Sequence, residues 1–139
     1  MQIDLSQSKF ETAQQTDSLS CLHALEHFGL GRYGDPIDFD GWIKGLKNLY
    51  KLLEPRGILY LSLPTGEPQR VEFNAQRVFS LPFQRSLLTD YFDIVDLSFV
   101  DDEGNLHLSV DPFGFDADRT FGSYEGCAIW ALEKSKFVD

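Results

Sequence analysis

Two short, almost continuously apolar segments flank an amphipathic pattern in the first half of this chain. The first runs from Ser18 to Leu25 and the second from Ile58 to Leu63. Between them, apolar side chains recur every three to four residues, which predicts a helix capped by Asp40 and ended by Pro55. Nearly continuous apolar runs are typical of parallel strands covered on both faces. The pattern therefore predicts a right-handed strand–helix–strand unit with parallel strands.

The C-terminal part has the pattern of antiparallel strands. Gln84 to Tyr91 is predicted to form a short helix and Asp93 to Val100 a strand. Residues 101–105, DDEGN, have the composition of a hairpin turn, so Leu106 to Val110 is expected to pair back on that strand. Cys127 to Glu133 alternates well enough for a half-buried final strand. The sequence thus predicts an α/β fold with a parallel core and antiparallel C-terminal strands.

Length and charge limit the classes of partner. A chain of 139 residues is expected to form a single domain, and its net charge is -10. Nine acidic residues and no Lys or Arg lie between Asp90 and Asp118. Because such a field repels a phosphate backbone, we expect no general nucleic-acid binding, and a local basic site around Arg70, Arg77 and Arg85 stays open. The expected partner is a small-molecule substrate.

The cysteines and the hydropathy point to a cytoplasmic protein. Cys21 and Cys127 lie far apart in apolar segments, which predicts two buried, reduced thiols. The N-terminus lacks the pattern of a signal peptide, and no apolar run reaches the roughly 18 residues of a membrane span. We therefore expect no membrane association.

Three polar residues, His23, Glu26 and His27, end the first apolar run. If a helical turn begins there, their spacing places them on one side, where imidazole and carboxylate converge on a hydroxyl group or a cation. Either histidine is a candidate general base, with Glu26 fixing the imidazole tautomer. The alternative is structural, with Glu26 and His27 bonding the loop that follows. The sequence supplies no fourth ligand, so no metal is assigned.

Further polar residues lie in or after the loops that leave the predicted parallel strands, where α/β proteins place their sites. The candidates for substrate contact are Arg32, Tyr33, Asp35, Asn74 and Arg77. The guanidinium of Arg77 suits a carboxylate or phosphate group. A salt bridge to the acidic C-terminal region is the alternative for this residue.

Several segments together resemble the later part of a class I S-adenosylmethionine-dependent methyltransferase. They are QIDL at 2–5, SLSCLHALEH at 18–27, LLEPRGILYLSLP at 52–64, YFDIVDLSF at 91–99 and CAIWALEK at 127–134. The resemblance covers nearly the whole chain. Within the family, CLHALEHFGLGRYGDPID and FNAQR are similar to an uncharacterised branch. The implied fold is a partial, Rossmann-like methyltransferase-type sheet.

The resemblance also implies a cofactor, S-adenosylmethionine, and contacts for it. At the position of Asp4, which ends a predicted first strand, family members accept a hydrogen bond from the adenine amino group, and the amide of Leu5 touches the ring. Leu22 matches a position whose backbone meets the methionine part. Ubiquinone-pathway and small-RNA methyltransferases carry Glu-x-x-Glu-His where this chain has His23, Glu26 and His27, and the first histidine would favour zinc over magnesium if an ion bound.

Two family elements are missing from the sequence: the glycine-rich turn and the ribose-binding acid that precede the matched segments. Three explanations stay open: a truncated or split product, a sheet completed by a partner chain or a second copy, and a rearranged module that no longer methylates. The expected function is accordingly an incomplete methyltransferase-like protein, with O-methyl transfer to a small hydroxyl substrate. Whether it is an enzyme is undecided, because a noncatalytic binding or scaffold module is the alternative and a metal-dependent hydrolase a third.

Overall fold

The computed structural model describes residues 14–28, 30, 38, 40–72 and 76–135. The predicted strand that ends at Asp4 lies outside them. The elements in chain order are β1 (Thr16–Leu22), a 3-10 turn (Leu25–His27), α1 (Gly41–Leu52), β2 (Leu53–Thr65), β3 (Arg70–Glu72), β4 (Gln76–Val78), α2 (Leu81–Thr89), β5 (Phe92–Val100), β6 (Leu106–His107), α3 (Phe115–Asp118), a second 3-10 turn (Thr120–Gly122) and β7 (Gly126–Lys134).

A five-stranded mixed sheet forms the centre of the fold. Its strand order is β1-β2-β7-β5-β6, and β3 pairs with β4 in a separate two-stranded sheet. Strands β1 and β2 are parallel, whereas β7 is antiparallel to both of its neighbours and β6 is antiparallel to β5. The predicted α/β fold with parallel strands followed by antiparallel C-terminal strands is confirmed.

The predicted extent and burial of the first strand are wrong. Strand β1 ends at Leu22, and Leu25 belongs to the 3-10 turn that follows. Of the seven residues of β1 only Cys21 is buried, and Leu22 is 62% exposed. Most residues of β1 are accessible to solvent, so the coverage on both faces that its apolar run predicted is not observed.

The helix prediction is confirmed, but its two ends differ from the expectation. Helix α1 ends at Leu52 because β2 already begins at Leu53, ahead of Pro55. Asp40 occupies the N-cap position without a side-chain capping bond. Arg56 and Gly57 form a bulge inside β2, where Arg56 has a φ of 65°. Across the bulge the pairing advances by five residues in β2, from Leu53 to Ile58, and by two residues in β1, from Thr16 to Ser18.

Helix α2 starts three residues before the predicted helix. Its first residue is Leu81, because Ser80 provides the N-cap and its side-chain oxygen accepts a hydrogen bond from the Phe83 amide. Pro82 is tolerated in the first turn, where no intrahelical donor is needed.

The core lies between the sheet and the helices. Paired residues of β2 and β7 alternate, so that Leu61 and Trp130 are fully buried while Tyr60, which pairs with Ala131, is exposed. The Trp130 indole N–H donates to the Gln84 side chain of α2 at 2.9 Å. Both predicted thiols are free, but Cys127 is only partly buried. Among the described residues, none of the helices is long and apolar enough to cross a membrane.

Candidate active site

The end of β1 brings the candidate residues to the carboxyl edge of the parallel strand pair. Leu22 pairs with Ser62 of β2, and His23 follows directly. The chain leaves the strand at His23, whose φ of 51° lies in the left-handed region. A residue with left-handed dihedral angles cannot continue an extended strand, so the strand ends there. Histidine tolerates that region better than most residues. Both parallel strands therefore contribute to this edge.

His23 is held by Ser62. Its backbone N–H donates to the Ser62 carbonyl and approaches the Ser62 Oγ, both at 3.1 Å. The ring Nδ1 lies 2.9 Å from the same Oγ. The side chain is exposed, so its ring stands at the rim of the edge. Sequence reasoning missed Ser62 because it lies in the middle of an apolar run.

Glu26 is the most unusual group of the site. It belongs to the 3-10 turn, its exposure is 0%, and neither carboxylate oxygen has a hydrogen-bond partner among the described residues. Burial raises the pKa of Glu26 to about 7. Their own burial, together with the charge of Glu26, raises the pKa of the Cys21 and Cys127 thiols to about 11. The carboxyl group therefore changes its protonation state near neutral pH.

The turn places His27 beside Glu26. The ring Nε2 lies 3.7 Å from the Glu26 Oε1, and the His27 side chain is 15% exposed. That separation exceeds a hydrogen bond, so burial rather than the imidazole sets the raised pKa of Glu26. The structure thus brings Glu26 and His27 together, and ties His23 to Ser62. The described residues contain no group of three or more His, Cys, Asp or Glu side chains that could hold a metal ion.

Arg77 supports the turn from β4. It is 5% exposed and donates to the carbonyl oxygens of Glu26, at 3.4 Å, and Phe28. Burial lowers the pKa of Arg77, and the charges of Asp38 and Asp40 counteract this effect. These carboxylates belong to the segment before α1 and not to the acidic C-terminal region. The other candidates, Asp4, Leu5, Arg32, Tyr33, Asp35 and Asn74, lie outside the described residues.

Two open clefts lie near these residues. One, of about 290 Å³, is lined by both polar and apolar residues, among them His23, Gln76, Asp101, Glu125 and Cys127. The second, of about 340 Å³, lies between the start of α1, the β3–β4 pair and the start of α2. We call it the aromatic cleft, after the rings of Trp42, Phe79 and Phe83 that line it. No period in the sequence indicates this cleft, because Trp42 lies in α1, Phe83 in α2 and Phe79 between β4 and α2.

A family model matches most of this chain. The model described as "Caenorhabditis protein of unknown function, DUF268" matches residues 1–112. The chain belongs to this family. No curated protein matches its sequence.

Solved structures with the same fold include methyltransferases. The N-methyltransferase NodS from Bradyrhizobium japonicum WM9, in complex with S-adenosyl-l-homocysteine, is 16% identical, with 93% of this chain and 51% of NodS covered at a TM-score of 0.54. The [4+2]-cyclase SpnF is 14% identical, with 95% and 55% covered at 0.57. A SAM-dependent methyltransferase from Geobacter sulfurreducens, in complex with the same compound, is 14% identical, with 97% and 64% covered at 0.53.

These similarities concern the fold. At such identities they confirm the predicted Rossmann-like, methyltransferase-type α/β sheet for the DUF268 chain. The chain spans between half and two thirds of the length of these structures. SpnF, a cyclase, has the same fold as the two methyltransferases, so the activity has to be argued from the site itself.

Proposed function

We propose that the chain contributes the acceptor-side half of an S-adenosylmethionine-dependent methyltransferase and, once its sheet is completed, transfers a methyl group to a hydroxyl oxygen. The observation that carries the proposal is the pair of Glu26 and His27 at the end of β1. A fully buried, unpartnered carboxyl group with a pKa of about 7 lies there beside an imidazole. Groups that titrate near neutral pH are suited to acid–base chemistry.

The described residues fit the cofactor in one respect. Leu22 is 62% exposed at the carboxyl end of β1, so this residue is accessible to the methionine part. Asp4 and Leu5, outside the described residues, are proposed for the adenine. Two of the similar structures contain S-adenosyl-l-homocysteine, which supports this choice of ligand. When bound, S-adenosylmethionine supplies an activated methyl group.

Residues of this chain would accept the proton of the substrate hydroxyl group. The Glu26 carboxylate lies 3.7 Å from the Nε2 of His27, so its charge, when ionised, would stabilise the imidazolium. We propose that the imidazole of His27 accepts the hydroxyl proton. Such a base typically contributes about 10²- to 10⁴-fold to the rate. His23, whose ring is bonded to Ser62, would line the rim.

Cofactor binding tests the proposal directly. Calorimetry and thermal shift with S-adenosyl-l-homocysteine, at high concentration of the full chain, should show binding. At ten times its Kd the compound should raise the Tm by about 3–5 °C. Asp4→Ala should weaken binding roughly tenfold through the lost adenine contact, and Asp93→Ala, an exposed carboxylate of β5, is the control. No heat and no thermal shift with either S-adenosylmethionine or its demethylated product would refute cofactor binding by this chain.

A noncatalytic binding module is the second candidate. It is favoured by the three bonds between His23 and Ser62, which are what a structural histidine would make. Release of S-adenosyl-l-homocysteine from S-adenosylmethionine, in the presence of small hydroxyl compounds, separates the two. An enzyme should lose this release in His27→Asn while it still binds the cofactor. Binding without release by the wild type would favour the module.

Completion of the sheet is part of the proposal. In the described ranges, β1 has β2 as its one partner strand, and we propose that a further strand from another chain or a second copy pairs with its other edge. Addition of a segment that carries the glycine-rich turn should increase the affinity for S-adenosyl-l-homocysteine. Unchanged affinity in the presence of such a segment would argue against a split cofactor site.

A further inference from the structure

The aromatic cleft has walls suited to a flat apolar ligand. The Trp42 and Phe79 rings lie 5.0 Å apart between centroids, and Phe83 lies 5.8 Å from each of them. Phe79 and Phe83 are nearly parallel, with an interplanar angle of 8°. Val71, which also lines the cleft, is 57% exposed. A cleft of this composition and size is typical of small-molecule sites.

The polar side chains of the cleft offer donors and no available acceptor. Gln69 has one side-chain acceptor, Oε1, and that atom already accepts from the amide and the hydroxyl group of Ser80 at 2.9 and 3.2 Å. Arg70 and Arg77 carry only donors. A ligand group that satisfies these side chains must therefore accept hydrogen bonds, and an anion does so best.

Arg70 is held ready for such a group. Its guanidinium lies 3.9 Å from the centroid of the Tyr124 ring and donates to the carbonyl oxygens of Pro68 and Tyr124. Glu72 lies 3.9 Å away, too far for a hydrogen bond. Two of the five N–H groups of Arg70 are used in these bonds, and the planar fork is fixed by the ring beneath it. Fixed donors lose little entropy when they bind an anion.

The cleft is linked to the candidate base through Arg77. This side chain lines the cleft and donates to the carbonyl oxygens of Glu26 and Phe28, the two residues that flank His27. A ligand in the cleft therefore lies one side chain away from the turn that carries His27.

We propose that the aromatic cleft binds a planar aromatic carboxylate, with its ring against Trp42 and Phe83 and its carboxylate on Arg70. As a substrate class this rests on the proposed function, where a hydroxyl group on the same ring would be the methyl acceptor. The new bond would join the hydroxyl oxygen to the methyl carbon as the carbon–sulfur bond breaks, with the electron pair of the broken bond left on sulfur. The hydroxyl proton would leave towards His27, which lies beyond Arg77 and does not itself line the cleft.

Two probes of equal shape separate ring binding from anion recognition. Binding of 2-naphthoate and of the neutral 2-naphthamide to the full chain is measured by calorimetry. We expect 2-naphthoate to bind roughly tenfold more tightly, as a charge-assisted hydrogen bond should give. Arg70→Gln should abolish this preference and leave the affinity for 2-naphthamide unchanged. Lys47→Gln, which removes an exposed charge from α1 outside the cleft, is the matched control.

The apolar wall is tested with Phe83→Ala, which should weaken both probes about tenfold. Phe83 is 37% exposed, so its removal is tolerable for folding, and Val71→Ala is a second variant at a more exposed position. Equal affinities of the two probes for the wild type would overturn the anion assignment. Failure of both probes to bind would overturn the proposal that the aromatic cleft is a ligand site. Binding unaffected by Phe83→Ala and Val71→Ala would also overturn it.

Binding of 2-naphthoate and binding of S-adenosyl-l-homocysteine are measured separately, so the cleft proposal and the methyltransferase proposal can fail independently. Binding of 2-naphthoate without binding of S-adenosyl-l-homocysteine would support the cleft and refute the methyltransferase proposal. Binding of S-adenosyl-l-homocysteine without binding of 2-naphthoate would refute the substrate class alone.

Discussion

Replacing Glu26 by glutamine should change how the stability of the protein depends on pH. Burial raises the pKa of Glu26 from an ordinary value of 4.5 to about 7 in the folded protein. Between these two values the folded state holds a proton on the carboxyl group that the unfolded state has lost. The free energy of unfolding therefore falls as the pH rises through this window, by about 1.4 kcal/mol per pH unit, and is level above it.

The magnitude follows from the difference between the two pKa values. A rise from 4.5 to about 7 corresponds to about 3 kcal/mol that the wild type loses by pH 8. Glutamine does not ionise and escapes this loss. The buried amide of Glu26→Gln brings its own cost, but that cost is independent of pH. The stability of the variant minus that of the wild type should therefore increase by about 2–3 kcal/mol between pH 5 and pH 8.

Urea denaturation of both proteins at half-unit steps from pH 5 to pH 8.5 measures this difference. Other titrating groups contribute equally to both proteins and cancel. The control is Glu54→Gln, which removes an exposed carboxylate from β2 and should show no comparable increase. A flat difference for Glu26→Gln would mean that the carboxyl group keeps one protonation state throughout, and would remove the main support for its proposed role.

Three further predictions concern the core and the thiols. In Gly66→Ala the new Cβ would lie 1.8 Å from the Tyr124 carbonyl oxygen, so urea denaturation should show a loss of about 2–4 kcal/mol. Trp130→Phe should cost about 3 kcal/mol, because it removes a buried ring segment and leaves Gln84 Oε1 without its donor. The raised pKa of Cys127, about 11, should make its alkylation by iodoacetamide at pH 8 about a hundredfold slower than in urea, as measured by mass spectrometry.

Each of these predictions has a control. Gly104→Ala, where no atom lies within 4 Å of the new Cβ, should cost only the strain of a φ of 84°, about 1 kcal/mol. Adding Gln84→Leu to Trp130→Phe should recover part of the loss if the unpaired oxygen matters, although Gln84 also donates to Thr65. Equal costs for both glycine variants, an additive double variant or equal labelling of Cys127 in both states would contradict the reasoning.

The resemblance of the sequence to class I methyltransferases predicted the fold, but it did not predict the surroundings of the site residues. The methyltransferase-type fold is confirmed, and its strand and helix order followed from local patterns. The roles of His23, Glu26 and His27, the cofactor contacts at Asp4, Leu5 and Leu22, the substrate contacts and the partners stay predictions. Their residue types could be selected from the sequence because polar groups that end an apolar strand are conspicuous. The burial and the contacts of these residues could not be predicted from the sequence.

By itself the sequence determined the parallel strand pair, the helix between its strands and the antiparallel C-terminal strands. These features depend on side-chain periods of two or 3.6 residues, which are local properties of the chain. Only the tertiary structure decided that β1 is mostly exposed, that Glu26 is fully buried and that His23 is bonded to Ser62. It also assembled the aromatic cleft from Trp42, Phe79 and Phe83. Burial, and with it the pKa of a carboxyl group, depends on neighbours that are distant in the sequence, and no local period encodes those neighbours.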